Sequence, residues 1–435
     1  MSTYQQTLDY LFTRLPMFSK LGAAAYKKDL TNTILLCEAL GNPHLRFKSI
    51  HIAGTNGKGS TSHMLAAILQ TAGYRTGLYT SPHLKDFGER IKVNGQEVEE
   101  QFVIDFTKRI QPLIEEIEPS FFEITVAMGF EYFAQQKVDI AVIETGLGGR
   151  FDSTNIITPL LSVITNIGWD HMNILGDSLD KIAFEKAGII KHEVPVVVGE
   201  SLPQIKHIFK ERARQLSAPI CFANEERWIP EWRNENNNLI VTVAKSHVDE
   251  RTDYALDLTG LYQAKNLLTV LEAVHILQKK GWNIKGQGVE KGLAHTKKIT
   301  GLHGRWEVVH HSPFTVLDVA HNEDGIKQLA LQLEHCGFHR LHIIIGIVKD
   351  KEIDKVLSLL PPYAQYYFTK AQIARALPET ELMNKAKTFG LSGHSYPDVN
   401  EALQDAVNKA HKEDMIVVCG SVFVVGEVEI SQIKW

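Results

Sequence analysis

The sequence predicts an α/β protein: a P-loop N-terminal domain with a mainly parallel sheet, followed by a smaller α/β C-terminal domain. Three observations carry this. Short apolar runs alternate with helical patterns, the texture of strand–helix–strand units. The chain has 435 residues, more than one core usually organises. The alternation restarts after a Gly/Lys/His-rich stretch, Lys297–Gly304, that suits a hinge, so the domains are placed at 1–299 and 300–435.

The elements follow in order. Ile50–Ala53, Val138–Glu144, Leu160–Thr165 and Val194–Val198 are the first strands. Ser60–Ala72 reads as a helix with Met64, Leu65, Ile68, Leu69 and Ala72 on one face. Asn224–Asn238 is polar and Asn-rich and reads as a surface loop. A helix over Gln263–Gln278 precedes the second series: Phe314–Val319, Leu341–Ile347, Ala364–Phe368 and Met415–Cys419.

Composition narrows the classes. An apolar fraction of 44% and a charged fraction of 22% describe a globular protein. The net charge of −5 argues against a nucleic-acid surface, which is normally basic. No apolar run reaches membrane-span length and the N-terminus lacks a signal-peptide pattern, so the expected location is the cytoplasm, with no membrane or nucleic-acid partner. Cys37, Cys221, Cys336 and Cys419 lack metal or disulfide spacing and read as buried free thiols. No exposed apolar stripe is visible in the motifs, so a monomer is expected.

Residues 49–61 form a strand, a glycine-rich turn and a helix start. Gly54, Gly57 and Gly59 let the backbone wrap an oxyanion, and Thr55 and Asn56 complete the turn. Lys58 supplies a point charge for phosphates, and Ser60 or Thr61 can reach a metal. The loop departs from the standard GxxxxGK[ST] pattern: its spacer is shorter and Gly59 separates the lysine from Ser60.

Glu144 closes an apolar run, where ligands of open α/β sheets bind, and a carboxylate there suits magnesium; a solvated strand-end acid is the plain alternative. In the helical pattern Ser178–Ile190 the apolar stripe is Leu179, Ile182, Ala183, Ala187 and Ile190. Lys186 falls on that face, and a buried lysine needs a partner or a chemical task. Glu185 is expected to pair with Lys181 at i,i+4 spacing. Asp152 and Asn155 either hold the turn around them or meet a ligand. Phe122, Glu123 and Thr125 either border a flat heterocycle or pack in the core. Asp318 and His321 sit at the end of Phe314–Val319.

The ordered set of motifs resembles the folylpolyglutamate synthase/dihydrofolate synthase family of the Mur-ligase superfamily. The loop GTNGKGS opens it. Tyr79–Leu84 with Glu89-Arg90-Ile91, residues 144–155 (ETGLGGRFDSTN), Thr165-Asn166-Ile-Gly-Trp-Asp170-His171, and Ile182–Lys191 follow. Gly304-Arg305-Trp306-Glu307, Leu317–Asn322 and Gly420-Ser421 complete it, over about Thr31 to Gly426. Tyr262, where the family often has His, and the loose match at Ala374-Arg375-Ala376 depart from the pattern.

What the resemblance implies is a glutamate ligase. A carboxylate takes the γ-phosphoryl group of ATP, and the amine of L-glutamate displaces phosphate. The carboxylate substrate would be dihydropteroate, tetrahydrofolate or both. Two Mg2+ sites are implied, with Ser81, Glu144, His171 and Lys186 as ligands, the last as an N-carbamate; His171 alone would read as a packed or capping histidine. Lys186 paired with Glu185 or a phosphate is the other reading. Lys58, Lys186, Asp318, His321 and Ser421 are the implied catalytic set. Asn266, Arg305 and Asp318 join the glycine-rich loop against ATP, with capping or surface roles as the alternative for Asn266 and Ser421. Pro82, His83, Phe122, Glu123 and Asp152 are the implied folate-side residues.

Two rivals remain. A muramyl-peptide ligase of the same superfamily usually carries an N-terminal UDP-sugar domain, and only about fifty residues precede the loop here. A non-catalytic nucleotide switch leaves Glu144, His171 and Lys186 without a purpose, and would make no amide when given glutamate and a pterin acid.

Overall fold

The computed structural model describes residues 3–17, 28–246, 250–349 and 351–435. The chain divides into two compact units. The first comprises Met1–Gly168, Met172–Asp257 and Tyr262–Leu302; the second comprises Trp169–His171, Leu258–Leu261 and His303–Trp435.

The first unit is built on an eight-stranded sheet. Its strands are β1 (Lys48–Ala53), β2 (Thr76–Tyr79), β3 (Ile91–Val93), β4 (Gln96–Glu97), β5 (Ile140–Glu144), β6 (Leu161–Ile164), β7 (Val196–Val198) and β8 (Ile220–Phe222). The order is β4-β3-β2-β5-β1-β6-β7-β8. From β2 to β8 every pairing is parallel, and β3 and β4 add an antiparallel edge. Apart from the exposed Lys48, the central strands are buried because helices cover both faces, which explains their largely apolar runs. Helix α1 (Lys58–Thr71) follows β1, α2 (Phe121–Gln135) precedes β5, α3 (Leu179–Ala187) precedes β7, and α4 (Gln263–Lys279) follows β11 and packs on α1. One core cluster runs through Phe106, Phe130, Phe133, Tyr79 and Ile143.

The stretch read as a loop, Asn224–Asn238, is instead mostly strand. β9 (Arg227–Glu235), β10 (Asn238–Lys245) and β11 (Arg251–Leu256) form a separate antiparallel sheet in the order β11-β10-β9. β9 is largely exposed: Trp228 and Trp232 on one of its sides stay open to solvent, and the charged and Asn residues around them hide the strand pattern. The turn was legible: Asn236 and Asn237 adopt φ of 51° and 61°, the left-handed pair of a tight hairpin that asparagine tolerates.

The second unit holds a six-stranded sheet of β12 (Glu307–His311), β13 (Phe314–Leu317), β14 (Leu341–Ile345), β15 (Gln365–Phe368), β16 (Gly393–Ser395) and β17 (Met415–Cys419). The order is β12-β13-β17-β14-β15-β16, parallel except for the β12–β13 hairpin. Its core clusters around Ile343, Ile345, Tyr366, Phe368 and Val417. All four cysteines are free; Cys37 and Cys419 are buried, whereas Cys221 and Cys336 are only half-buried, against the expectation for those two. Among the described residues no helix is long and apolar enough to cross a membrane.

Candidate active site

Four neighbouring parallel strands of the first unit, β2, β5, β1 and β6, bring their carboxyl ends to one edge. Beyond them lie Ser81, Glu144, the glycine-rich loop and residues 165–168. Ile52 pairs with Glu144 across the β1–β5 ladder, and the Thr145 N–H donates to the Ile52 carbonyl at 2.9 Å. This is the edge where open parallel sheets hold ligands.

The loop needs its glycines. Gly54 has φ of 150°, and a Cβ there would lie 1.9 Å from Thr165 Oγ1. Gly57 has φ of 82°, and a Cβ would lie 2.3 Å from Asn266 Oδ1. The loop is fastened to the segment after β6. The Thr55 N–H donates to the Asn166 carbonyl at 3.1 Å and the Asn56 N–H to Asn166 Oδ1 at 2.8 Å. Thr165 Oγ1 donates to the Asn56 carbonyl at 2.6 Å, and Thr55 Oγ1 bridges both backbone groups of Gly168. Thr165 and Asn166, motif members given no role from sequence, are therefore the mould for the loop. Helix α1 begins at Lys58, two residues earlier than expected. Its N-cap, Gly57, makes no side-chain cap bond, so the first-turn N–H groups keep the donor capacity that an oxyanion uses.

Two lysines meet here. Lys58 Nζ donates to the carbonyls of Gly54 at 3.2 Å and Thr55 at 3.3 Å. Lys186 Nζ, buried as its place on the apolar stripe of α3 predicts, donates to the same Gly54 carbonyl at 2.8 Å. Lysines 128 positions apart in sequence thus share one acceptor. Glu185 binds Arg150 at 2.6 Å and Lys181 binds Asp177 at 2.7 Å, which corrects the expected Glu185–Lys181 pair. The reason is packing: Gly149 and Arg150 lie against the end of α3, with the Arg150 N–H on the Glu185 carbonyl at 2.8 Å.

Ser60 Oγ accepts from Gln263 Nε2 at 3.1 Å, and Gln263 Oε1 accepts from Asn266 Nδ2 at 2.8 Å, so Asn266 of α4 is fixed beside Gly57. Thr61 Oγ1 is buried without a hydrogen-bond partner. The Glu144 carboxylate is buried and takes the Ser81 N–H at 3.4 Å. Among the described residues no three His, Cys, Asp or Glu side chains cluster as a metal cage. One strand-end carboxylate with hydroxyls nearby nevertheless fits magnesium, which takes few protein ligands and completes its shell with phosphate oxygens and water.

On the folate-side candidates the structure is specific. The Glu123 carboxylate caps its own helix, taking the Ser120 N–H at 2.6 Å, and Asn32 Nδ2 at 3.3 Å. Asp152 Oδ2 accepts the Leu147 N–H at 2.8 Å and Oδ1 the Thr154 N–H at 3.0 Å, so Asp152 holds the turn after Glu144; burial raises its carboxyl pKa and these bonds oppose the rise. Phe122 lies against that turn, where a Cβ on Gly146 would come within 2.5 Å of its ring. Pro82 follows Ser81 in a cis peptide. His83 Nδ1 accepts from Arg90 Nε at 2.7 Å; burial, then the Arg90 charge, lowers its pKa to about 3, so it is neutral.

The second unit contains Asp318, Arg305, His321, Ser421 and His171. Asp318 Oδ2 accepts the Trp306 N–H at 2.9 Å and Oδ1 the Ala320 N–H at 2.8 Å. It therefore shapes the backbone beside Arg305, where Trp306 has φ of 47°. Ser421 caps the short helix Val422–Gly426 through the Phe423 N–H at 3.2 Å. His321 Nε2 lies 3.4 Å from Asp170 Oδ2, Asn322 Nδ2 donates to the same oxygen at 3.2 Å, and Lys351 forms a close ion pair with Asp170. His171 lies 3.8 Å from Asp170. Burial alone would raise the Asp170 pKa, but Lys351, His171 and His321 hold it well below the usual carboxylate range. Sequence reasoning missed Lys351 and gave Asp170 no role; the second lysine of Val-Lys-Asp-Lys carries no mark of an ion pair 181 positions away.

Comparisons with known proteins agree with this architecture. Residues 52–274 match the Mur ligase middle domain, and residues 304–422 match the Mur ligase, glutamate ligase domain. The chain is 32% identical over 449 residues to the dihydrofolate synthase/folylpolyglutamate synthase of Bacillus subtilis, covering 98% of each. It is 30% identical to the folylpolyglutamate synthase of Lacticaseibacillus casei, covering 98% of this chain and 97% of the other. The structure of Mycobacterium tuberculosis folylpolyglutamate synthase complexed with ADP and AMPPCP matches with a TM-score of 0.85 at 30% identity, over 98% of this chain and 97% of that one. The E. coli FolC structure in complex with DHPP and ADP matches at 0.84 and 29% identity, over 98% and 96%. With both domains matched in order and relatives aligned along nearly its whole length, the chain belongs to the Mur ligase family, among the folylpolyglutamate synthases/dihydrofolate synthases.

Proposed function

We propose that this chain is an ATP-dependent carboxylate–amine ligase that adds L-glutamate to dihydropteroate, to (tetrahydro)folate, or to both, through an acyl phosphate. The observation that carries the reading is the shared edge of β2, β5, β1 and β6, where the uncapped start of α1, two lysines on one carbonyl and a buried Glu144 stand together. Relatives in complex with ADP, and with DHPP and ADP, support the choice of substrates.

A carboxylate is a poor electrophile, so phosphorylation supplies the leaving group. The α1 amides and Lys58 bind the ATP phosphates and oppose the charge that develops during transfer. Asn266, held beside Gly57, lines the nucleotide side of the loop. Magnesium, bound through Glu144, Ser81, His171 and Lys186 as its carbamate, would neutralise phosphate charge. In the second unit Arg305, His321 and Ser421 serve ATP and the incoming glutamate, with Asp318 setting the Arg305 loop. Pro82, His83, Phe122, Glu123 and Asp152 border the pterin side, Glu123 and Asp152 by fixing backbone.

A paired ligation assay tests the reading. Purified protein receives magnesium-ATP and labelled glutamate, with dihydropteroate in one reaction and tetrahydrofolate in the other. Amide product in either supports the ligase and tells which acid is used. No product in both, from folded protein that binds ATP, contradicts it and favours a muramyl-peptide ligase or a nucleotide switch.

A further inference from the structure

His51 lies in the middle of β1, between Ile143 of β5 and Ser162 of β6, with no solvent exposure. Its Nε2 is 2.8 Å from Thr154 Oγ1, and Thr154 Oγ1 is 2.5 Å from Asp152 Oδ1. Asp152 in turn accepts the N–H groups of Leu147 and Thr154. Proton counting orders the chain. A hydroxyl has one proton to donate. With both Asp152 oxygens accepting N–H groups, the carboxylate takes the Thr154 proton, so His51 must donate Nε2–H to Thr154 Oγ1. His51 Nδ1 is then bare, and it is indeed buried without a hydrogen-bond partner. Burial, reinforced by the Lys191 charge, lowers the His51 pKa to about 3 and keeps the ring neutral. A polar side chain in the central strand of a parallel sheet is costly unless it is satisfied, and an apolar residue would fill the place at lower cost.

We propose that His51 is a positioning residue of the ligase reaction, acting through Thr154 and Asp152 to fix the turn of residues 145–150, and with it the Phe122 face that meets the carboxylate substrate. This rests on the ligase reading above. The hydrogen bonds run from the phosphate-loop strand to the turn after Glu144 and make no direct bond to the phosphate loop, so their loss should fall first on the acid-substrate side.

The test compares His51→Leu, His51→Gln and Thr154→Val, each checked for a cooperative thermal transition. His51→Leu and Thr154→Val should each raise KM for the pterin acid about tenfold, the usual scale for losing an outer partner of a site, and leave KM for ATP within about twofold. The double variant should be no worse than the worse single one, because both break the same chain. His51→Gln, which keeps an N–H donor, should recover most of the loss. Equal rises in both KM values, multiplicative effects, or a folded His51→Gln no better than His51→Leu would overturn the proposal. NMR of the wild-type protein with isotope-labelled histidine gives an independent arm: a neutral Nε2–H tautomer supports the hydrogen-bond order, and Nδ1–H overturns it. A wild-type chain that makes no amide with either acid removes the ligase reading and the positioning role with it, whereas the tautomer result still judges the network.

Discussion

The edge of the first sheet and the Asp170 cluster of the second unit are built in opposite ways. The first is a backbone construction. Glycines open the loop, Thr165 and Asn166 mould it, and Lys58 and Lys186 rest on main-chain carbonyls. The second is a side-chain construction: Asp170 is held by Lys351, His321, His171 and Asn322, residues from separate segments. A site made of backbone is written in contiguous sequence, because glycines and their spacing are the structure. A site made of ion pairs depends on distant partners and leaves only isolated charges.

The comparison breaks most sharply at the loop. Lys58→Ala should lower ATP-dependent ligation by roughly 10³-fold, the upper scale for removing one preorganised donor to developing charge. Substrate-dependent ADP release at the wild-type rate would contradict the loop's role. Gly57→Ala should do comparable damage in a folded protein, because its Cβ collides with Asn266 and its φ of 82° disfavours alanine.

Next in size is Lys186→Ala, expected to lose about 10²-fold or more in turnover. Short carboxylic acids, filling the space with an anion in place of the carbamate, should restore part of it. Undiminished activity would remove Lys186 from the site.

In the second unit the effect should fall on stability. Asp170→Asn leaves Lys351 buried without its carboxylate and should cost about 3 kcal/mol in denaturant unfolding. The sign with pH follows from the depressed pKa. The carboxylate's contribution is fully present above its unfolded value, near 3.9, and is lost as pH falls through the lower folded value. The gap between wild type and Asp170→Asn should therefore be constant at neutral pH and close in strong acid. A gap that persists there would assign the effect to shape alone. On stability alone Ser421→Ala should cost least, about 1 kcal/mol from a lost helix cap, with any larger loss of ligation reporting its place at the glutamate side.

Legibility followed the same division. Most central parallel strands were readable because they are buried on both faces and so run largely apolar, whereas the short β2, β8 and β16 were not read; Lys186 was readable because one charge on an apolar stripe stands out. β9 was not, since a mostly exposed strand rich in charged and Asn residues looks like a loop despite Trp228 and Trp232; Asn236 and Asn237 marked its hairpin. The Glu185–Arg150 pair displaced an i,i+4 partner because glycine at 149 lets two segments touch, a tertiary contact that local spacing does not encode. Asp152 belonged to a recognised motif and Glu123 was a candidate beside Phe122, yet which groups their carboxylates bind emerged only from the fold.

The most direct test of the account follows the oxygen atoms. A pterin acid carrying heavy oxygen in its carboxylate is incubated with the enzyme, magnesium-ATP and glutamate, and the released phosphate is analysed by mass spectrometry. An acyl phosphate requires one heavy oxygen to pass from each carboxylate into inorganic phosphate; phosphate without the label would contradict carboxylate activation at this site.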